Sequence, residues 1–216
     1  MSTTFEVYTP TASIPTFNEV ILLSKQYLSE FLTMHNIFEK YIMDVNLMKN
    51  KTNNRVDFSK SNPAIWQADE YAWFTVNDVP GGCDAYVDEV EPLNWAIWND
   101  EFVSNGRAKK IEKQMRKCLE VGFNWRFRRS VGQPYIINLS YGLIAAAFAT
   151  LVDGFIFSDD GAWDYAMFPT TADEFLQKYF NPHYIKSEDA NWAKECIDGI
   201  KKIINERSNY GGMTDG

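Results

Sequence analysis

Two hydrophobic periods run through this chain, and the places where one gives way to the other mark its elements. Val20, Leu23, Tyr27, Phe31, Met34 and Phe38 recur at steps of three and four residues, the spacing of one apolar helix face. Just before them stand Thr16 and Glu19, a capping box in which each residue satisfies an amide of the other. The pattern therefore predicts a helix over 15–38. Residues 49–60 turn to Lys, Asn, Arg and Asp and read as an exposed loop. The run Glu70-Tyr71-Ala72-Trp73-Phe74-Thr75-Val76 is aromatic and β-branched, and Asn77-Asp78-Val79-Pro80-Gly81-Gly82 closes it, so it reads as a strand. Asn94 to Trp98 reads as a second strand, with Trp95 and Ile97 opposite Ala96 and Trp98. Asp84, Asp88, Glu89 and Glu91 then form an acidic loop between the two.

Beyond Ser104-Asn105-Gly106, the spacing of Ile111, Met115, Cys118 and Leu119 predicts a helix with a basic outer face, closed by Gly122. Trp125 and Phe127 alternate with Arg126 and Arg128, as in a strand with one buried and one solvated side. An apolar helix over 135–152 and a short buried strand over 154–158 follow. A second capping box, Thr171 with Glu174, opens a helix through Phe180 that Asn181-Pro182 stops. A last helix begins at Ser187-Glu188-Asp189 and carries Trp192, Cys196 and Ile200 on its apolar side, and 208–216 reads as a frayed tail. Strands and helices mix without a regular βαβ alternation. The expectation is one α+β domain over 1–216, a mixed or antiparallel sheet with several packed helices.

Composition changes this picture in three ways. The 216 residues include 7 Trp, 11 Tyr and 15 Phe, enough large rings to build a core without metal or disulfide staples. Cys83, Cys118 and Cys196 are far apart and form no C-x-x-C pair, which fits a reducing compartment. The first fifteen residues hold Glu6 but no Lys or Arg and no continuous apolar run. They do not read as a secretory signal, so a cytoplasmic protein is expected. The 18 uncharged residues of 135–152 reach the lower length limit of a spanning helix. They are Ala-rich and contain Asn138, Ser140 and Tyr141, so a buried core helix is expected, with no membrane partner.

A formal charge of -8 disfavours nucleic acid, whose phosphates must be neutralised by Lys and Arg, and suits a basic protein partner. His35 and His183, the only histidines, stand far apart without an advertised triad or zinc spacing. A phosphate loop and a nucleophile elbow are lacking. The densest acidic feature is Ser158-Asp159-Asp160-Gly161-Ala162-Trp163-Asp164. Such carboxylates can hold a hard cation or act as an acid and base, can form a protein-binding loop, or can simply cap the amides of a turn. Arg126, Arg128 and Arg129 read either as an anion clamp or as a solvated strand face paired with nearby acids.

The segment 122–182 carries Asn124-Trp125-Arg126-Phe127-Arg128-Arg129-Ser130, Gly132-Gln133-Pro134, Tyr141-Gly142-Leu143-Ile144 and Asp153-Gly154-Phe155-Ile156-Phe157-Ser158-Asp159-Asp160-Gly161-Ala162-Trp163-Asp164-Tyr165, then Phe168-Pro169 and Glu174-Phe175-Leu176. In these motifs it resembles the immunity protein 52 family of bacterial polymorphic-toxin systems. The resemblance implies a non-enzymatic inhibitor of a toxin delivered by kin, often through type VI secretion, with no cofactor and no bound metal. The expected partner is a basic toxin domain that acts on nucleic acid. The expected contact residues are the acids Asp84, Asp88, Glu89, Glu91, Asp159, Asp160 and Asp164, with Trp163 as an aromatic anchor among them. Two other classes remain open: a metal-dependent hydrolase using Asp159, Asp160 and Asp164, and a chaperone or adaptor for a secreted effector.

Overall fold

Thr4 and Glu6 alternate with Phe5 and Val7, and this first run is a strand, β1 (Thr3–Tyr8), whose Phe5 and Val7 are fully buried. The computed structural model describes residues 2–181, 183–184 and 187–211. Helix α1 (Phe17–Met34) follows, opened by the expected box: the Glu19 amide donates to Thr16 Oγ1 at 3.2 Å and the Thr16 amide to Glu19 Oε2 at 2.7 Å. It ends before Phe38. Its buried side is Phe17, Val20, Ser24, Leu28, Phe31 and Leu32, and Met34 and Phe38 stand in solvent.

Strands β2 (Met43–Lys49), β3 (Arg55–Val56), β4 (Glu70–Val76) and β5 (Cys83–Glu89) come next. The expected acidic loop is thus largely strand, with Asp84, Asp88 and Glu89 all inside β5. The expected strand at Asn94 to Trp98 is helix α2 (Pro92–Ser104). Pro92 suits a first helical turn, and Asn94 Oδ1 accepts from the Glu91 amide at 2.7 Å. Trp98 and Phe102, one turn apart, are its buried residues.

The basic segment forms α3 (Gly106–Lys110) and α4 (Glu112–Val121), and α4 closes on Gly122 at φ 86°, a left-handed position that glycine takes without steric cost. Strand β6 (Phe123–Arg129) buries Trp125 and Phe127 as expected. Helix α5 (Tyr135–Val152) is 83% buried and is the core helix of the fold. Strand β7 (Phe155–Phe157), a single 3₁₀ turn (Tyr165–Met167), β8 (Thr170–Thr171), α6 (Ala172–Lys178) and α7 (Ser187–Gly211) complete the chain. At α6 the Thr171 hydroxyl accepts from the Glu174 amide. The Glu174 carboxylate does not return to the cap; it pairs with Arg107 and Lys178 instead. This helix stops at Lys178 rather than at Phe180, and Pro182 lies outside the described residues. Residues 208–211, expected to fray, are the last turn of α7, and 212–216 lie outside the described residues.

The strands make one sheet in the order β3-β2-β4-β5-β6-β1-β7-β8, antiparallel at every pairing, so the fold is α+β. One sheet face carries Phe5, Val7, Val45, Phe74, Ala85, Trp125 and Phe127 and packs under α1 and α5. Helices α6 and α7 pack on the far side of α5. Among the described residues, the other sheet face is covered over β1 and β7, where Trp98, Phe102, Met115 and Leu119 of α2 and α4 pack on Tyr8 and Phe155.

Candidate functional site

That second face is built from the out-pointing positions of β4, β5, β6, β1 and β7, and strand register sorts them into rows that run from open positions on β4 and β5 to the covered Tyr8, Phe155 and Phe157 on β1 and β7. One row runs Trp73, Asp84, Arg128, Thr4 across the four strands. A second joins Tyr86, Arg126, Glu6 and Phe157, with Tyr71 stacked on Tyr86 at 5.9 Å. A third joins Asp88, Asn124, Tyr8 and Phe155. Successive side chains of a strand point to opposite faces, so the residues that fill the core also fix these rows on the outside.

The face is rigid and electrically ordered. Asp84 is 4% exposed. It accepts from Arg128 Nε at 2.8 Å, from Arg128 Nη2, and from the Tyr86 hydroxyl at 2.8 Å. Asp88 accepts a fork from Arg126 Nε and Nη2. Both guanidinium groups lie over the Tyr86 ring, at 4.9 Å for Arg126 and 5.6 Å for Arg128. These pairings push Arg126 and Arg128 further up, through the hydrogen bonds they donate to Asp88 and Asp84 respectively. Burial, then the Asp84 hydrogen bond, pushes the Tyr86 hydroxyl up to about 12. Arg126 and Arg128 are therefore the acid-paired strand face of the two readings, whereas Arg129 donates to Asn138 Oδ1 at 2.8 Å and Thr3 Oγ1 at 3.1 Å and lies over the Tyr141 ring.

Glu6, which is not among the expected contact residues, lies on the same face and is raised above its ordinary value. Burial pushes its carboxyl up, the Tyr8 hydroxyl donating at 2.7 Å opposes this, and Asp159 and Asp88 add to the rise. Asp159 is thereby placed beside the same face. Asp160 joins it through a 2.7 Å bond from Thr4 Oγ1, and Ser158 Oγ donates to its other oxygen at 3.3 Å. The fold thus gathers Asp84, Asp88, Asp159 and Asp160 around the rows. Glu89 and Glu91 are exposed where β5 passes into α2. Asn99 of α2 is bonded by Arg116 of α4. At about 100° per residue, Leu93 and Ile97 emerge on the side of α2 away from α4. They are 67% and 50% exposed.

Trp163 does not serve as an exposed anchor. It is 3% exposed, stacked on Phe180 at 4.8 Å and edge-on to Tyr179 at 5.0 Å. The short Ser158-to-Asp164 run folds back over the core, and its only indole is swallowed by it. Asp164 caps the 3₁₀ turn, accepting from the Ala166 amide at 3.0 Å. Asp160 is engaged by two hydroxyls and Asp164 by a backbone amide, while Asp159 stands exposed. Among the described residues no group of three or more His, Cys, Asp and Glu side chains is placed to hold a metal ion.

The three thiols are buried and pushed up by that burial, Cys118 and Cys196 to about 12, which holds them protonated. His35 and His183 both line one cavity of about 440 Å³, with Phe31, Leu176 and Ile197. Burial, then Lys201, lowers the His35 pKa. Comparison with known proteins adds no relative: no family model matches the chain, no curated protein is similar to it, and no solved structure matches it.

Proposed function

We propose that this chain is an immunity protein, which binds a cognate bacterial toxin domain of basic character and neutralises it by covering its active site in the cytoplasm. The observation that carries the reading is the uncovered sheet face. Tyr71, Trp73 and Tyr86 supply half-buried aromatic area there, Arg126 and Arg128 are held in fixed forks, and Asp159, Asp160, Glu89 and Glu91 rim it. Aromatic and arginine residues at the centre of a patch with charges at its edge are the composition of a protein interface. The pre-set arginine and aspartate geometry lowers the ordering cost of association. The resemblance of 122–182 to the immunity protein 52 family supports the same reading, because it includes β6, which supplies both arginines.

The test is co-expression with the neighbouring reading frame, which this reading expects to encode the toxin. The expected results are restored growth and a complex that survives purification. Tyr71→Ala and Trp73→Ala are each expected to weaken that complex by about 2 kcal/mol or more, the scale of an interface hot spot, with a preserved melting curve. Growth arrest in the presence of the protein overturns the function, and a complex indifferent to both substitutions overturns the placement of the site.

A further inference from the structure

A second surface lies on the opposite side of the molecule, in the helical layer. Beyond the end of α1 the chain runs along α7, and two depressions lie end to end between them. The first is the cavity of about 440 Å³ already described, walled by Phe31, Met34, Leu176, Tyr179 and Ile197. The second, of about 530 Å³, mixes Ile37, Phe38 and Ile204 with Asn36, Glu39, Lys201 and Asn205. On α7 the lining positions 194, 197, 201 and 204 share one side of the helix, so the depressions form one groove.

Apolar side chains project from the same strip. Met34 is 70% exposed and Phe38 77%, with Ile42 at 56% just beyond them. Each of the first two stands at the lip of one depression. Projecting apolar side chains along a partly apolar groove mark a surface that is covered in use. They also narrow the choice of cover. A twofold interface uses the same patch on both subunits, so the patch must hold both the projections and the hollows that receive them. This one does. Its rim is self-complementary in charge as well, since Glu39 and Lys201 border the same hollow.

We infer that the α1–α7 groove is a homodimer interface, in which Met34 and Phe38 of each copy seat in the hollows of the other. The two sheet faces then point away from the contact, and each copy keeps its face free for a separate partner.

Sedimentation velocity on the full chain, from micromolar to millimolar concentration, tests this. The expected result is a mass that rises with concentration from 24.9 kDa towards twice that value. Phe38→Asp and Met34→Lys are expected to raise the dimer dissociation constant by about tenfold or more. Both side chains lie in solvent, and circular dichroism of each variant checks that the fold is kept. A chain that stays monomeric throughout overturns the inference, as does a dimer unchanged by both substitutions. Occupation of this groove by a different protein predicts the monomeric result and is separated by it.

Discussion

Glu6 and Trp163 show how one residue's surroundings decide its role. Burial keeps the Glu6 carboxyl protonated to higher pH than the exposed carboxyl of an unfolded chain, despite the Tyr8 hydroxyl. Between the ordinary value of 4.5 and the folded value, the native state binds more protons than the unfolded state, so stability falls as pH rises through that window and stays lower above it. Glu6→Gln removes the ionisation and keeps an acceptor for Tyr8. Thermal melts across acid to neutral pH are expected to show the variant above the wild type at neutral pH and level with it in acid. A constant difference at every pH sinks the assignment. At Trp163 the burial is apolar, against Phe180 and Tyr179, and Trp163→Ala is expected to cost about 3 to 5 kcal/mol in urea unfolding. A loss below about 1 kcal/mol, small for any buried large-to-small change, would restore it to the surface. Composition alone places Trp163 equally well in an interface or in a core. The choice is made by Tyr179 and Phe180, sixteen and seventeen residues later in the chain.

The elements that hold these residues depend on a few close approaches. In α5, a Cβ built on Gly142 would lie 2.3 Å from the Tyr179 ring, and that ring's hydroxyl donates to the Asn138 carbonyl at 3.0 Å. Gly142→Ala therefore has to push the chain after α6 off α5, and overpacking of this kind costs about 1 to 3 kcal/mol. Its check is a denaturant midpoint that falls, set beside an exposed Ala substitution elsewhere; an unchanged midpoint refutes the tight packing. Helical periods were legible from sequence where a cap marked the start, as at Thr16 and Glu19. The strand at β6 was legible from Trp125 and Phe127. In α2, Trp95 to Trp98 is apolar at every position, so strand alternation fitted as well as any period did, and the deciding signals were Pro92 and the Trp98 to Phe102 step. The alternation of β1 and β2 was present in Phe5, Val7, Met43, Val45 and Leu47 and went unread. The site was half legible for a different reason. Asp84 and Arg128 each stand out as charges, but what joins them is register between strands 44 residues apart, which no local pattern carries.

Over the whole molecule, charge is unevenly spread. Six basic residues, Arg107, Lys109, Lys110, Lys113, Arg116 and Lys117, fall within eleven positions of α3 and α4, while the chain as a whole carries -8. The uncovered sheet face and its rim lie outside that basic stripe. Under the proposed function, a basic toxin approaching this molecule is repelled at α3 and α4 and drawn to the acidic remainder, so the field orients the encounter before any contact forms. Asp159 and Glu89 are exposed rim acids, and reversing both by Asp159→Lys and Glu89→Lys is expected to slow association with the cognate toxin about tenfold at low salt. The melting temperature should hold, because neither side chain packs in the core. At about 1 M salt the screening distance shrinks to roughly 3 Å, and the wild-type and variant rates should converge. Reversal of Lys113 and Lys117 to Glu is the opposing arm: it removes repulsion from a surface outside the proposed docking face, so association should hold or quicken. Stopped-flow association across a salt series reads all of these at once. Slowing by the α4 reversals, or rim reversals that leave the low-salt rate unchanged, would mean that the toxin docks on the basic stripe and that the sheet face serves another purpose.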